Sequence, residues 1–223
     1  MSANSCPPPA AWGGGLSDLS GVVLDAEHQY AFEVAVRDNA GNAFWRQRKL
    51  CEFQEVLALA QVSGRMHLLM ADLAVSLRLM FELRCVVPTL PDLNGGLVLA
   101  NRALIGLNYP EEAIREPLPG FAFVTLLQPG AVWLPNAAPP DFAFHGHGPG
   151  QPLCLGARIA AGTPVKELVL QTYGALTMQS VQLDERDAAG VMNREAAEWW
   201  LQSGTSIPLT REGFLESKPL PTP

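Results

Sequence analysis

The sequence predicts an α+β domain: an antiparallel β-meander of about four strands, flanked by helices. Three observations carry this. Leu77, Leu79, Phe81, Leu83, Cys85 and Val87 occupy alternate positions with Arg78, Glu82 and Arg84 between them, the period of a half-buried strand. Just before it, Leu50, Phe53, Val56, Leu57 and Ala60 recur at helical spacing with Arg, Lys and Glu between them. After it, further strand-like runs follow one another across Gly/Pro turns, with no helix between, so βαβ units are not expected.

Taken in order, residues 1–15 are rich in Pro and Gly and read as a flexible segment. Residues 16–43 form an N-terminal extension. Within it Gln29 to Val36 alternates as a strand would, and Asp38-Asn39-Ala40-Gly41-Asn42 offers a turn, so a hairpin running into Phe44-Trp45 is expected. Residues 44–215 make the main domain. Its amphipathic helix runs from Arg46 to about Val62, where Ser63-Gly64 ends it. The strand from Leu77 stops at Pro88 and Pro91, and Asn94-Gly95-Gly96 turns the chain into a second strand, about Leu97 to Leu107. A third strand, Phe121 to Leu127, follows the turn Pro117-Leu118-Pro119-Gly120. A proline-rich stretch then ends in the strand-like Asp141-Phe142-Ala143-Phe144. Thr163-Pro164 signals a helix start, hydroxyl cap then proline, with Val165, Leu168, Val169, Thr172 and Leu176 as its apolar face. Asn193 caps a last helix whose first turn holds Glu195, and residues 216–223 read as a flexible tail.

Composition narrows the function. With 48% hydrophobic and 17% charged residues among 223, the chain is globular. A net charge of −7 argues against a nucleic-acid partner, whose phosphates need a basic surface. The apolar stretch from Met66 to Val87 contains Asp72, Arg78, Glu82 and Arg84, so it is not a membrane span. The N-terminus lacks the basic and continuous apolar regions of a secretory signal. Four separated cysteines without a CxxC pair suit a reducing compartment, so a soluble cytoplasmic protein is expected. Three lysines against twelve arginines match the codon bias implied by plentiful Ala, Gly and Pro. A second reading is avoidance of lysine acceptors near an acyl-transferring cysteine.

The chemistry-bearing segment is Phe144-His145-Gly146-His147-Gly148-Pro149-Gly150-Gln151-Pro152-Leu153-Cys154-Leu155-Gly156. It gathers two of the four histidines close to one cysteine in a Gly/Pro-rich loop, which can hold a thiol at the surface beside two imidazoles. That combination suits a nucleophile or a metal ligand. Cys51 lies in a helix and Cys85 on a strand's apolar face, both core positions; Cys6 lies in the flexible segment. His28 and His67 stand alone. Trp199-Trp200 reads as one ring on the core and one partly exposed.

The order of elements, with two local motifs, resembles the ubiquitin-conjugating enzyme family, its bacterial members in particular. Pro139-Pro140-Asp141-Phe142-Ala143-Phe144-His145 is similar to that family's approach to its His-Pro-Asn motif. Leu153-Cys154-Leu155-Gly156 is similar to its cysteine segment, and Gly190-Val191-Met192-Asn193-Arg194-Glu195-Ala196-Ala197 to a downstream one. The resemblance spans roughly Met66 to Gln202. It departs in three places: His145-Gly146-His147 stands for His-Pro-Asn, Gly190 for an aspartate, and the N-terminal forty residues have no counterpart. It implies a thioester of a ubiquitin-like modifier on Cys154, passed to an amine of a protein acceptor. It further implies an activating-enzyme partner, no cofactor, His147 as the oxyanion donor and His145 as a structural loop residue.

Three alternatives stand beside it. His145, His147 and Cys154, with Asp141 as a fourth ligand, could hold zinc. A Cys/His hydrolase would use the same cysteine and histidines. A non-catalytic scaffold of the same fold would carry no covalent adduct. The conjugating reading predicts that His147→Ala slows thioester discharge by about 10²–10³ while leaving loading intact. A single-turnover discharge assay separates the two steps, and an unchanged rate in both removes His147 from the mechanism.

Overall fold

The computed structural model describes residues 22–90, 96–139, 150–184 and 191–215. The first described element corrects an expectation. Gln29 to Val36 is not a strand but part of helix α1, Ala26–Asp38. Asp25 caps it by accepting the His28 N–H at 3.0 Å. Helical spacing then gathers Phe32 and Ala35 on one face, and Phe32 stacks on Phe53 with ring centroids 6.3 Å apart. Asp38 to Asn42 makes no hairpin; it links α1 to helix α2, Ala43–Val62, and Asn42 caps α2 through the Trp45 N–H at 2.9 Å.

Helix α2 forms where its apolar periodicity predicts, but two of its charged residues face inward. Lys49 is fully buried; its Nζ donates to the Ala40 carbonyl at 2.8 Å and to the Leu73 carbonyl. The Trp45 indole N–H donates to Val75 O at 2.9 Å. Both ties fasten the start of α2 to the turn between β1, Met66–Asp72, and β2, Leu77–Leu83. Glu52, also buried, acts further along the helix, as described below.

Strands β1 and β2 begin an antiparallel sheet that continues through β5, Ala103–Tyr109, β7, Val124–Gln128, and β8, Gln151–Leu153, in that order. The mixed helix and antiparallel-sheet content bears out the α+β class. Period two decides which face is buried. Leu77, Leu79, Phe81 and Leu83 of β2 and Ala103, Ile105, Leu107 and Tyr109 of β5 all lie in one core with α2 and the later helices. Strand β1 carries a bulge at Leu69, between Leu68 and Met70.

The expected strand from Leu97 to Leu107 is broken at Asn101-Arg102. Its first part, β4, Val98–Ala100, pairs instead with β3, Val87–Thr89, as a separate ribbon. A short pair, β6, Leu118–Pro119, with β9, Arg158–Ile159, ties the chain before β7 to the chain after Cys154. The third expected strand starts at Val124, because Gly120–Ala122 forms a 3₁₀ turn. The strand-like Asp141 to Phe144 lies outside the described residues.

Helix α3, Val165–Leu176, starts as Thr163-Pro164 predicts, but the hydroxyl does not cap it. Thr163 Oγ1 bonds back to Ala160 O at 2.8 Å, and Glu52 accepts the Val165 N–H at 2.6 Å instead. Arg48 pairs with Glu52 and donates to Gly162 O at 3.1 Å. Lys166 pairs with Glu55 at 3.0 Å. Helix α4, Arg194–Gln202, is capped by Asn193 through the Ala196 N–H at 3.0 Å, as predicted. Among the described residues, no helix is long and apolar enough to cross a membrane.

Burial pushes the Glu52 carboxyl from 4.5 up to about 7, with the Arg48 guanidinium pulling the other way. The folded chain therefore holds a proton there that the unfolded chain has released, and Glu52's contribution to stability falls as pH rises from about 4.5 through 7. Glu52→Gln keeps an oxygen for the Val165 N–H and does not titrate. Urea midpoints at pH 5, 6, 7 and 8 should move in the variant's favour, relative to the parent, as pH rises. A constant difference across that range would refute the burial assignment.

Candidate functional site

Cys154 directly follows β8, so its placement begins with that three-residue strand. On one side β8 pairs with β7, Leu153 opposite Val124 and Gln151 opposite Leu126. On the other it meets the segment from Val132 to Ala138. Leu153 bridges Ala137, and the Ala138 N–H donates to Pro152 O at 2.9 Å. The buried Gln151 amide completes this pairing: it accepts the Val132 N–H at 2.9 Å and donates to Ala138 O at 2.6 Å. A buried polar side chain with both ends matched is what a buried position requires.

The pairing ends on a reciprocal contact. The Cys154 N–H donates to Asn136 O at 2.7 Å, and Asn136 Nδ2 donates to the Cys154 carbonyl at 3.1 Å. Asn136 is 4% exposed, and its Oδ1 is buried with no hydrogen-bond partner among the described residues. Leaving such an acceptor unmatched costs roughly 1–3 kcal/mol. Sequence reasoning missed Asn136. It stands 18 residues before Cys154, too far for any local spacing rule, and the one available signal was an asparagine after Pro135 in a proline-rich stretch.

The far side of Cys154 is clamped by glycines. The Leu155 N–H donates to Gly120 O at 3.3 Å, and Gly156 sits at a φ of +137°, a conformation suited to glycine. A Cβ on Gly120 would lie 2.0 Å from Gly156 O, so the two backbones cross with no room for a side chain. The Cys154 thiol donates to Gly156 O at 3.2 Å.

This corrects the expectation of a surface thiol. Cys154 is 7% exposed, and burial pushes its pKa above the usual value, so little thiolate is present at neutral pH. Gln151 to Leu153, expected as part of a loop, form β8, and Cys154 stands at its end. Cys51 and Cys85 are buried as predicted, and burial pushes the Cys85 thiol up to about 12, which makes it inert.

Helix α4 packs behind the same segment. Pro135 O accepts the Met192 and Asn193 N–H groups at 2.7 and 2.9 Å, and the Trp200 indole N–H donates to Trp133 O at 2.8 Å. Trp200 is buried and meets Trp199 edge to face at 5.1 Å, while Trp199 is partly exposed. The pair thus divides as the sequence reading expected.

His145, His147 and Asp141 lie outside the described residues, as does Gly190. Among the residues it describes, the structure brings Asn136 to Cys154. His28 is bound to Asp25 at 2.8 Å on α1, and His67 lies on β1 opposite Glu82; neither joins the site. Among the described residues, no three His, Cys, Asp or Glu side chains group as metal ligands. A comparison with protein-family models, curated proteins and solved structures finds no match to this chain.

The glycine crossing gives a test. Gly120→Ala should destabilise the fold by about 2 kcal/mol, since the added methyl meets backbone, and should speed iodoacetamide labelling of Cys154 by displacing Gly156. Gly130→Ala, with nothing within 4 Å, should change neither. Urea midpoints and peptide-mapped labelling rates measure both, and unchanged Cys154 labelling in a destabilised Gly120→Ala would detach the clamp from the thiol.

Proposed function

We propose that this chain is a ubiquitin-conjugating-like acyl carrier, which takes a ubiquitin-like modifier from an activating enzyme onto Cys154 and passes it to an amine of a protein acceptor. The observation that carries the reading is the reciprocal pairing of Asn136 with the Cys154 main chain, at the end of an antiparallel meander followed by two helices. The order helix, meander, cysteine, helices is that of the family the sequence resembles. In that family an asparagine after a proline serves the cysteine, and Pro135-Asn136 offers such a pair here alongside His147.

The chemistry follows from the thiol. The Cys154 sulfur loses its proton to solvent base and attacks the modifier's thioester carbonyl. A new C–S bond forms as the bond to the activating enzyme's sulfur breaks. An acceptor amine then displaces Cys154, which leaves as thiolate and regains a proton. The raised thiol pKa makes the first step faster at higher pH. Lysine placement suits such a carrier: Lys49 and Lys166 are both buried and paired, so among the described residues no exposed lysine offers itself as an acceptor.

A second reading, a scaffold of the same fold, draws on the 7% exposure of Cys154 and its hydrogen-bonded thiol. One experiment separates the two. Cys154→Ser and Cys154→Ala are expressed in the native host, purified and weighed intact. The serine form should gain a modifier-sized mass as an oxyester, and the alanine form none. If neither gains mass while the parent's Cys154 is alkylated by iodoacetamide, the scaffold reading replaces the carrier.

A further inference from the structure

The segment after α4 lies in a slot built by residues distant from it in sequence. From Ser203 to Leu215 the chain forms neither helix nor strand. Ile207 and Leu209 pack on the core, and the Leu209 N–H donates to Thr177 O at 3.0 Å, so this part is a fixed root. Beyond it, Thr210, Glu212 and Phe214 turn their carbonyls toward the body, at every second residue as in an extended chain. Gln179 Nε2 donates to Thr210 O at 3.0 Å and to Glu212 O at 2.9 Å. The Tyr173 hydroxyl donates to Glu212 O at 2.9 Å, and Ser63 Oγ to Phe214 O at 3.2 Å.

Two side chains complete the contact. Glu212 pairs with the guanidinium of Arg65, a buried cation 5.7 Å from the Tyr173 ring centre. The buried Phe214 ring meets Tyr173 edge to face at 5.4 Å, while Arg211 stays exposed. The slot thus reads main-chain carbonyls, one carboxylate and one ring, all of which a separate peptide can supply. Its own parts are held in advance. Ser63 Oγ accepts the Arg65 N–H at 3.2 Å, and Gln179 follows Met178, a buried residue at a φ of +58°. Left-handed backbone at a residue other than glycine is strained, and such strain gathers at clamps. A buried guanidinium also demands an anion, so the slot exchanges its acid rather than losing it.

We propose that Ser63, Arg65, Tyr173 and Gln179 form a docking slot for an extended segment of a partner protein, with a carboxylate two residues before an aromatic ring, and that Thr210 to Phe214 fill this slot in the free chain. The tethered segment competes at high effective concentration, so a partner enters only as that segment lifts from its root. Nothing in the slot depends on acyl carriage by Cys154.

The test uses the full chain and a fluorescein-labelled peptide, acetyl-Leu-Thr-Arg-Glu-Gly-Phe-Leu amide, which repeats residues 209–215. Glu212→Gln frees Arg65 for the peptide's carboxylate, and Phe214→Ala vacates the place of the ring. By fluorescence anisotropy each variant should bind the peptide at least about tenfold more tightly than the parent does, because the tethered competitor is weakened. A control peptide with alanine for its glutamate and phenylalanine should bind neither. Adding Gln179→Ala, at an exposed position, to Glu212→Gln should weaken peptide binding about tenfold through two lost hydrogen bonds. Either single variant, if folded by circular dichroism, suffices. A folded variant that binds the peptide no more tightly than the parent, or that binds the alanine control equally well, overturns the slot. A parent dimer that Phe214→Ala dissolves, seen by sedimentation, would give the slot to a second copy and overturn the partner assignment.

Discussion

Burial of one face of the meander against α2 is the constraint on which the remaining architecture depends. The inward rows of β2 and β5 are continuous apolar surfaces, and each fully buried Leu, Ile or Phe stabilises the fold by about 1.5–3 kcal/mol. A slip of one residue in either strand would turn Arg78, Glu82 or Asn108 into that core. The register is therefore fixed from within. Lys49 and the Trp45 indole then lock the helix to the β1–β2 turn through the Leu73 and Val75 carbonyls.

The site inherits its geometry from that sheet by way of backbone rather than side chains. Strand β8 is short and contains Pro152, yet it is held on both sides, by β7 and by the segment from Val132 to Ala138. The same segment receives the start of α4 at Pro135. Cys154 thus stands where sheet, proline-rich segment and C-terminal helix converge, and Gly120 closes the remaining side. Chemistry at a buried thiol then depends on small backbone movements, since its carbonyl, amide and sulfur are all hydrogen-bonded.

Much of this was legible in the sequence where a pattern was long and local. The α2 periodicity and the Asn193 cap each lie within one element and were read from it; the alternation from Leu77 continues only to Leu83, where β2 ends before Val87 opens β3 in a separate ribbon. The failures have one physical cause, the reach of distant partners. The alternation from Gln29 to Val36 fits a strand as well as a helix, and only packing of Phe32 on Phe53 decides it. Lys49 and Glu52 look like solvent-facing charges until Leu73 O and the Val165 N–H are brought to them. Thr163 marked the start of α3, yet the cap itself came from another helix. Asn136 belongs to the same group: nothing near it in sequence announces Cys154.

The bulge at Leu69 bears on how these molecules behave toward one another. Strand β1 forms an outer margin of the sheet, and it carries Leu69 at 48% and Met70 at 51% exposure, a sticky strip on an open ladder. A flat margin of that kind invites a neighbouring chain to add a strand and seed aggregates. The extra residue puts the peptide groups on either side of Leu69 out of step, so an incoming strand finds no continuous run of matching donors and acceptors. The misfit residue thus gives the sheet's edge strand a built-in obstacle to edge-to-edge pairing.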